Sequence, residues 1–153
     1  MIYNFPSGTN LQLDTIILDL NGTLAVHGNI AEGVKEQIDQ LKVLGFEIFL
    51  LSGDTRGNAQ KIADTLGITL VVTSNAKEKG KFVESHHPDT CASIGNGKID
   101  LETFKLAKLS IATLQAEGVF AGAIPFLDII VPSIQDALQL LIDPNTLVST
   151  LRE

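Results

Sequence analysis

The stretch Asp14-Thr-Ile-Ile-Leu-Asp-Leu-Asn-Gly-Thr-Leu-Ala25 constrains this chain more than any other. Ile16, Ile17, Leu18 and Leu20 form a near-continuous apolar run, β-branched at its start, the pattern of a strand buried on both faces of a parallel sheet. The run ends in Asp19, Asn21, Gly22 and Thr23. An ionised carboxylate at the end of a buried strand is costly unless a cation pairs with it. Gly22 lets the backbone bend sharply there, and Thr23 adds a hydroxyl. Taken alone, Asp-x-Asn-Gly also fits a plain polar turn; what weighs against that is the rest of the chain.

Downstream, apolar runs alternate with helical stripes. Val34, Ile38, Leu41 and Leu44 recur at helical spacing with Ile30 before them, Asn29 is the expected cap, and Gly45 stops the helix. Between Thr23 and that helix, His27-Gly28-Asn29 predicts a tight hairpin. Further strands are expected over 46–51, 68–72, 90–94, 109–112 and 128–131, with helices over 59–66, 76–84, 101–105, 134–142 and 145–151. This alternation predicts a three-layer α/β fold, a doubly wound parallel sheet, as a single domain over residues 1–153.

In such sheets ligands bind where the carboxyl ends of the strands open onto loops. Four polar clusters fall there: Asp19 to Thr23, then Ser52-Gly53-Asp54, then Lys77, Lys79 and Lys81, then Asn96 to Asp100. Each has a plain reading, as a helix cap, a solvated face or a turn. Together, a carboxylate, a hydroxyl, a lysine and a second carboxylate at successive strand ends match the needs of phosphoryl transfer. A carboxylate attacking a phosphate is opposed by charge repulsion, so a metal ion and an ammonium must neutralise the developing charge.

Asp19-Leu-Asn-Gly-Thr-Leu24 resembles the first motif of the haloacid dehalogenase (HAD) superfamily of phosphohydrolases. Ser52 corresponds to its second motif, Lys79 in Lys79-Gly-Lys-Phe-Val83 to its third, and Gly95-Asn-Gly-Lys-Ile-Asp100 to its fourth. Leu51-Ser-Gly-Asp-Thr55 and Leu109-Ser-Ile-Ala112 are closest to the phosphorylation domain of P-type ATPases, so the chain resembles soluble relatives of that domain. The resemblance implies a HAD-like Rossmannoid fold without a cap domain and a phosphatase activity through an aspartyl phosphate on Asp19. It implies catalytic roles for Asp19, Ser52 and Lys79, and substrate contacts at Asn21, Gly22, Thr23 and Gly53. It also implies a Mg2+ cofactor held by Asp19, Asn21, Asn96 and Asp100. Two positions depart from the family pattern. Asn21 stands where an acid/base Asp is usual, and Asn96 where a metal-binding Asp is usual; both point to slow turnover. The alternative is a weak or inactive module that binds phosphate or a partner protein. A two-component receiver domain fits less well, because its accepting Asp follows the third strand.

The 153 residues carry a formal charge of −7 with no offsetting basic cluster, which argues against nucleic acid or an anionic membrane as partner. Cys91 is the only cysteine, which excludes an intrachain disulfide and suits a reducing cytoplasm. The paired His86 and His87 read as a loop rather than a metal site, and Cys91 as a core residue. The expected partner is a phosphorylated substrate of unknown identity. An uncapped site also predicts either a macromolecular substrate or a homo-oligomer whose neighbour covers it.

Overall fold

The computed structural model describes residues 1–53, 57–115 and 117–153. The chain opens with a hairpin of β1 (Ile2–Asn4) and β2 (Asn10–Gln12) and then enters β3 (Thr15–Asp19), in which Thr15 to Leu18 are all buried. A small antiparallel hairpin follows, β4 (Ala25–Val26) and β5 (Asn29–Ile30), turning through His27 at φ 51° and Gly28 at φ 81°. Two successive left-handed residues are the signature of a two-residue turn matched to strand twist.

Next come α1 (Val34–Val43), β6 (Glu47–Ser52), α2 (Ala59–Leu66), β7 (Thr69–Val72) and α3 (Ala76–Ser85). The second half contributes β8 (Cys91–Gly95), α4 (Leu101–Leu106), β9 (Leu109–Thr113), β10 (Ile129–Val131), α5 (Ile134–Ile142) and α6 (Pro144–Leu151). Six of these strands form one parallel sheet in the order β10-β9-β8-β3-β6-β7. The long apolar run is therefore the central strand, as its burial on both faces demands.

The two-residue alternation of β3 sorts its side chains between two cores. Ile16 and Leu18 join the larger one, with Val34, Ile38 and Leu41 of α1, Ile62 and Leu66 of α2, and Leu138 and Leu141 of α5. Ile17 faces the smaller one, with Leu51, Val83 and Cys91. Helices α3 and α4 cover that second face and approach closely at Gly80, where an added Cβ would sit 3.0 Å from the Cβ of Glu102. Lys79 lies one helical turn before Val83 on the buried stripe of α3, which carries its ammonium under the sheet rather than into solvent.

One local expectation is corrected. Asn29 does not cap α1: it pairs with Val26 inside the hairpin, and Gly33, at φ 84°, occupies the N-cap position. The hairpin claims Asn29 and Ile30 before the helix can start, so the helical stripe begins at Val34. The carboxyl-terminal helices pack inward through Ala137, Leu138, Leu141 and Leu147. Between Asp19 and Ser52 the chain forms only the small hairpin, α1 and β6, so no cap domain is inserted there. Among the described residues no helix is long and apolar enough to cross a membrane.

Candidate active site

The chain runs from β3 outward to β6 and β7, then returns to β8 on the opposite side of β3. That reversal opens a crevice at the carboxyl ends of β3 and β8, where an open parallel sheet binds ligands. Asp19 ends β3 and Asn96 follows β8, so the first and fourth clusters face one another across it. A cleft of about 250 Å³ is lined there by Asp19, Asn21, Ser52, Gly53, Lys79, Asn96 and Glu117, among others.

Lys79 is the electrostatic centre. Its Nζ donates to Asp19 Oδ1 at 2.6 Å and to Asp100 Oδ1 at 2.8 Å, with the lysine side chain only 2% exposed. Burial alone would pull the lysine pKa down; the charges of Asp100 and Asp19 more than offset it, and the ammonium is held above its ordinary range. The Asp19 carboxyl is pushed up to about 7, first by burial and then by the charge of Asp100, with Lys79 opposing both. Two carboxylates share one ammonium, which leaves the cluster one negative charge in excess when both are ionised.

Asp100 is fully engaged. Its second oxygen accepts the backbone N–H groups of Asn96 at 3.1 Å and Gly97 at 3.0 Å, fixing the loop after β8. Gly95 has to be glycine here, since a Cβ would stand 2.6 Å from the Asp100 carboxylate. Asn96 is also tied on both sides of its amide: Oδ1 accepts the Thr23 hydroxyl at 3.1 Å, and Nδ2 donates to the Gly118 carbonyl at 2.9 Å. Thr23 is wholly buried, and its carbonyl accepts from Gln115 Nε2. Gly22, at φ 76°, accepts the Thr113 hydroxyl at 3.2 Å through its carbonyl. A Cβ at Gly22 would meet Asn96 Nδ2 at 2.7 Å and Glu117 Oε2 at 2.8 Å.

The structure thus brings Asp19, Asn21, Ser52, Gly53, Lys79 and Asn96 to one cleft, with Asp100, Gly22 and Thr23 behind it holding its walls. Asp54 and Thr55, the end of the second cluster, lie outside the described residues. Lys77 and Lys81 are exposed and away from this cleft, so only Lys79 of the three lysines enters it. His27 is exposed at the hairpin tip, and His86 stacks on Phe82 at 3.8 Å between ring centroids.

Sequence reasoning missed three lining residues. Thr73, after β7, has a buried hydroxyl with no hydrogen-bond partner among the described residues. Ser74 lies beside it, and Glu117 follows β9. All three stand at strand ends, and the same rule that singled out Asp19 would have found them had it been applied to every strand.

The donor set of the cleft fits a hard divalent cation. Asp19 has a second carboxylate oxygen beyond the one bonded to Lys79, Asn21 lines the cleft beside it, and the excess negative charge asks for a cation. Among the described residues no three His, Cys, Asp or Glu side chains form a metal-binding group; the oxygen-bearing residues at this cleft include the carboxylates Asp19 and Glu117 and the amides Asn21 and Asn96.

No family model matches the chain. Over 138 residues it is 27% identical to a soluble P-type ATPase-like phosphatase of Methanocaldococcus jannaschii, covering 87% of this chain and 50% of that protein. Over 104 residues it is 36% identical to a copper-transporting ATPase of Helicobacter pylori, covering 65% of this chain and 14% of that protein. Among solved structures, the 3-deoxy-D-manno-octulosonate 8-phosphate phosphatase of Moraxella catarrhalis, in complex with magnesium, phosphate and KDO, matches with a TM-score of 0.71 at 15% identity, covering 90% of each chain. The fold is thus that of haloacid dehalogenase-type phosphatases, among them a hydrolase of that family from Streptomyces avermitilis that matches with a TM-score of 0.66 at 18% identity, covering 79% of this chain and 76% of that one. In sequence the chain is similar to a soluble P-type ATPase-like phosphatase and to copper-transporting ATPases, and it spans only half the length of the first of these.

Proposed function

We propose that this chain is a magnesium-dependent phosphohydrolase or phosphotransferase that works through an aspartyl phosphate on Asp19. The observation that carries this reading is the 2.6 Å contact between Asp19 and Lys79 at the point where the sheet reverses direction. An Asp19 oxygen attacks the phosphorus of a phosphomonoester; the bond to the leaving oxygen breaks, and the departing alkoxide takes a proton from water. Lys79 offsets the charge gathering on the phosphoryl oxygens, and the Ser52 hydroxyl donates to one of them. Water then attacks the acyl phosphate, releasing inorganic phosphate and regenerating the Asp19 carboxylate. Asp19 and the Asn21 carbonyl would hold the divalent cation, which would supply further charge neutralisation to the same oxygens.

Asn21 can neither give nor take a proton, so both steps rely on solvent and turnover is slow. This residue favours the second reading, a phosphate- or partner-binding module with little turnover. The open cleft is suited to a macromolecular substrate or to a second copy of the chain that covers it. With saturating Mg2+, wild type is expected to hydrolyse p-nitrophenyl phosphate slowly, and Asp19→Asn to lose at least about a thousandfold of that rate. Equal rates in the two proteins would exclude Asp19 as nucleophile; no turnover in wild type, with beryllium fluoride still bound, would favour the binding module.

A further inference from the structure

Resting on that reading, we infer that Glu117 supplies the second carboxylate of the cation site, in place of the charge that Asn96 lacks. Glu117 follows β9, the neighbour of β8, and lines the cleft with Asp19, Asn21 and Asn96. Its Oε2 and the Asn96 Nδ2 lie 2.8 and 2.7 Å from one point above Gly22, so the carboxylate stands beside the Asn96 amide over the turn that follows Asp19. Glu117 is exposed, and no cation among the described residues pairs with it.

The amide at position 96 explains how the exchange works. Asn96 Nδ2 donates to the carbonyl of Gly118, the residue after Glu117, and the Asn96 carbonyl accepts the Phe120 N–H at 2.8 Å. Two hydrogen bonds therefore fasten the segment that carries Glu117 to the loop after β8. An aspartate at 96 could not donate to Gly118, so the neutral amide gives up a charged oxygen and gains the bond that holds the replacement in place. The charge count agrees. Asp19, Asp100 and Lys79 leave one negative charge, and Glu117 makes two, which matches a divalent cation. Oxygen ligands from one or two carboxylates are the usual protein share of a Mg2+ site.

The test is binding of Mn2+ followed by loss of the free-ion paramagnetic signal, with Mg2+ competing, in wild type, Glu117→Gln and Asp19→Asn. Each protein is first shown to be folded by its metal-free melting curve. Glu117→Gln is expected to weaken Mn2+ at least about tenfold with an unchanged metal-free melt, and Asp19→Asn to abolish binding. If Glu117→Gln binds within twofold of wild type while Asp19→Asn does not bind, the role of Glu117 is overturned and the Asp19 site stands. If wild type binds no Mn2+, both fall.

Discussion

Lys79→Met is expected to destabilise the fold by about 3–5 kcal/mol at pH 8, because it leaves two buried carboxylates facing each other with no cation. Methionine keeps most of the side-chain volume, so the loss is one of charge rather than packing. Its pH dependence follows from Asp19. In the folded protein that carboxyl is raised to about 7, from an ordinary value near 4 in the unfolded chain. The folded state therefore binds the proton more tightly; this stabilisation is fully present below the unfolded value and is lost as pH rises through about 7. Without Lys79 opposing the shift, the loss steepens, and the deficit of the variant grows between pH 5 and pH 8. Urea unfolding at the two pH values measures it. A deficit that does not change with pH would show that Lys79 acts through packing alone.

Asn21→Asp is expected to raise phosphomonoester turnover by about a hundredfold to ten-thousandfold, the usual worth of a positioned acid/base group. Asn21 is half-buried and lines the cleft with Asp19, so a carboxyl there can protonate the leaving oxygen and then deprotonate the attacking water. Asp19→Asn in the same background should abolish the gain. Steady-state kinetics with saturating Mg2+ measure both; no gain in a folded, metal-loaded Asn21→Asp protein would favour the binding module. Asn96→Asp is not a matching repair. It would place an oxygen against the Gly118 carbonyl and lose the bond that Nδ2 now makes, at a cost of about 1–3 kcal/mol.

What could be read from the chain alone divides along physical lines. Ile16 to Leu18 marked the central strand because continuous apolarity is needed only where both faces are covered. The α2 stripe of Ala59, Ile62, Ala63 and Leu66 and the bounds of α5 were equally legible, since they depend on local periodicity. Lys79 could be separated from Lys77 and Lys81 only through the family resemblance, because its burial depends on the helix packing under the sheet. Asn29 was misassigned as a cap because its pairing with Val26 competes with the helix and leaves no mark in composition. Glu117 could have been named as a strand-end residue, but its place beside Asn96 was not legible: it comes from β9 lying next to β8, a long-range adjacency that strand patterns do not encode. The double engagement of Asn96 is of the same kind, joining residues far apart in the chain.

The proposed function turns on transfer of the phosphoryl group to Asp19. The direct measurement is to incubate wild type and Asn21→Asp with acetyl phosphate and Mg2+, quench in acid and locate the modification by peptide mass spectrometry. The expected result is an acid-stable, hydroxylamine-sensitive phosphate on the peptide containing Asp19, persisting longer in wild type than in Asn21→Asp and absent from Asp19→Asn. Phosphate on another residue, or p-nitrophenyl phosphate turnover that survives in Asp19→Asn, would contradict it.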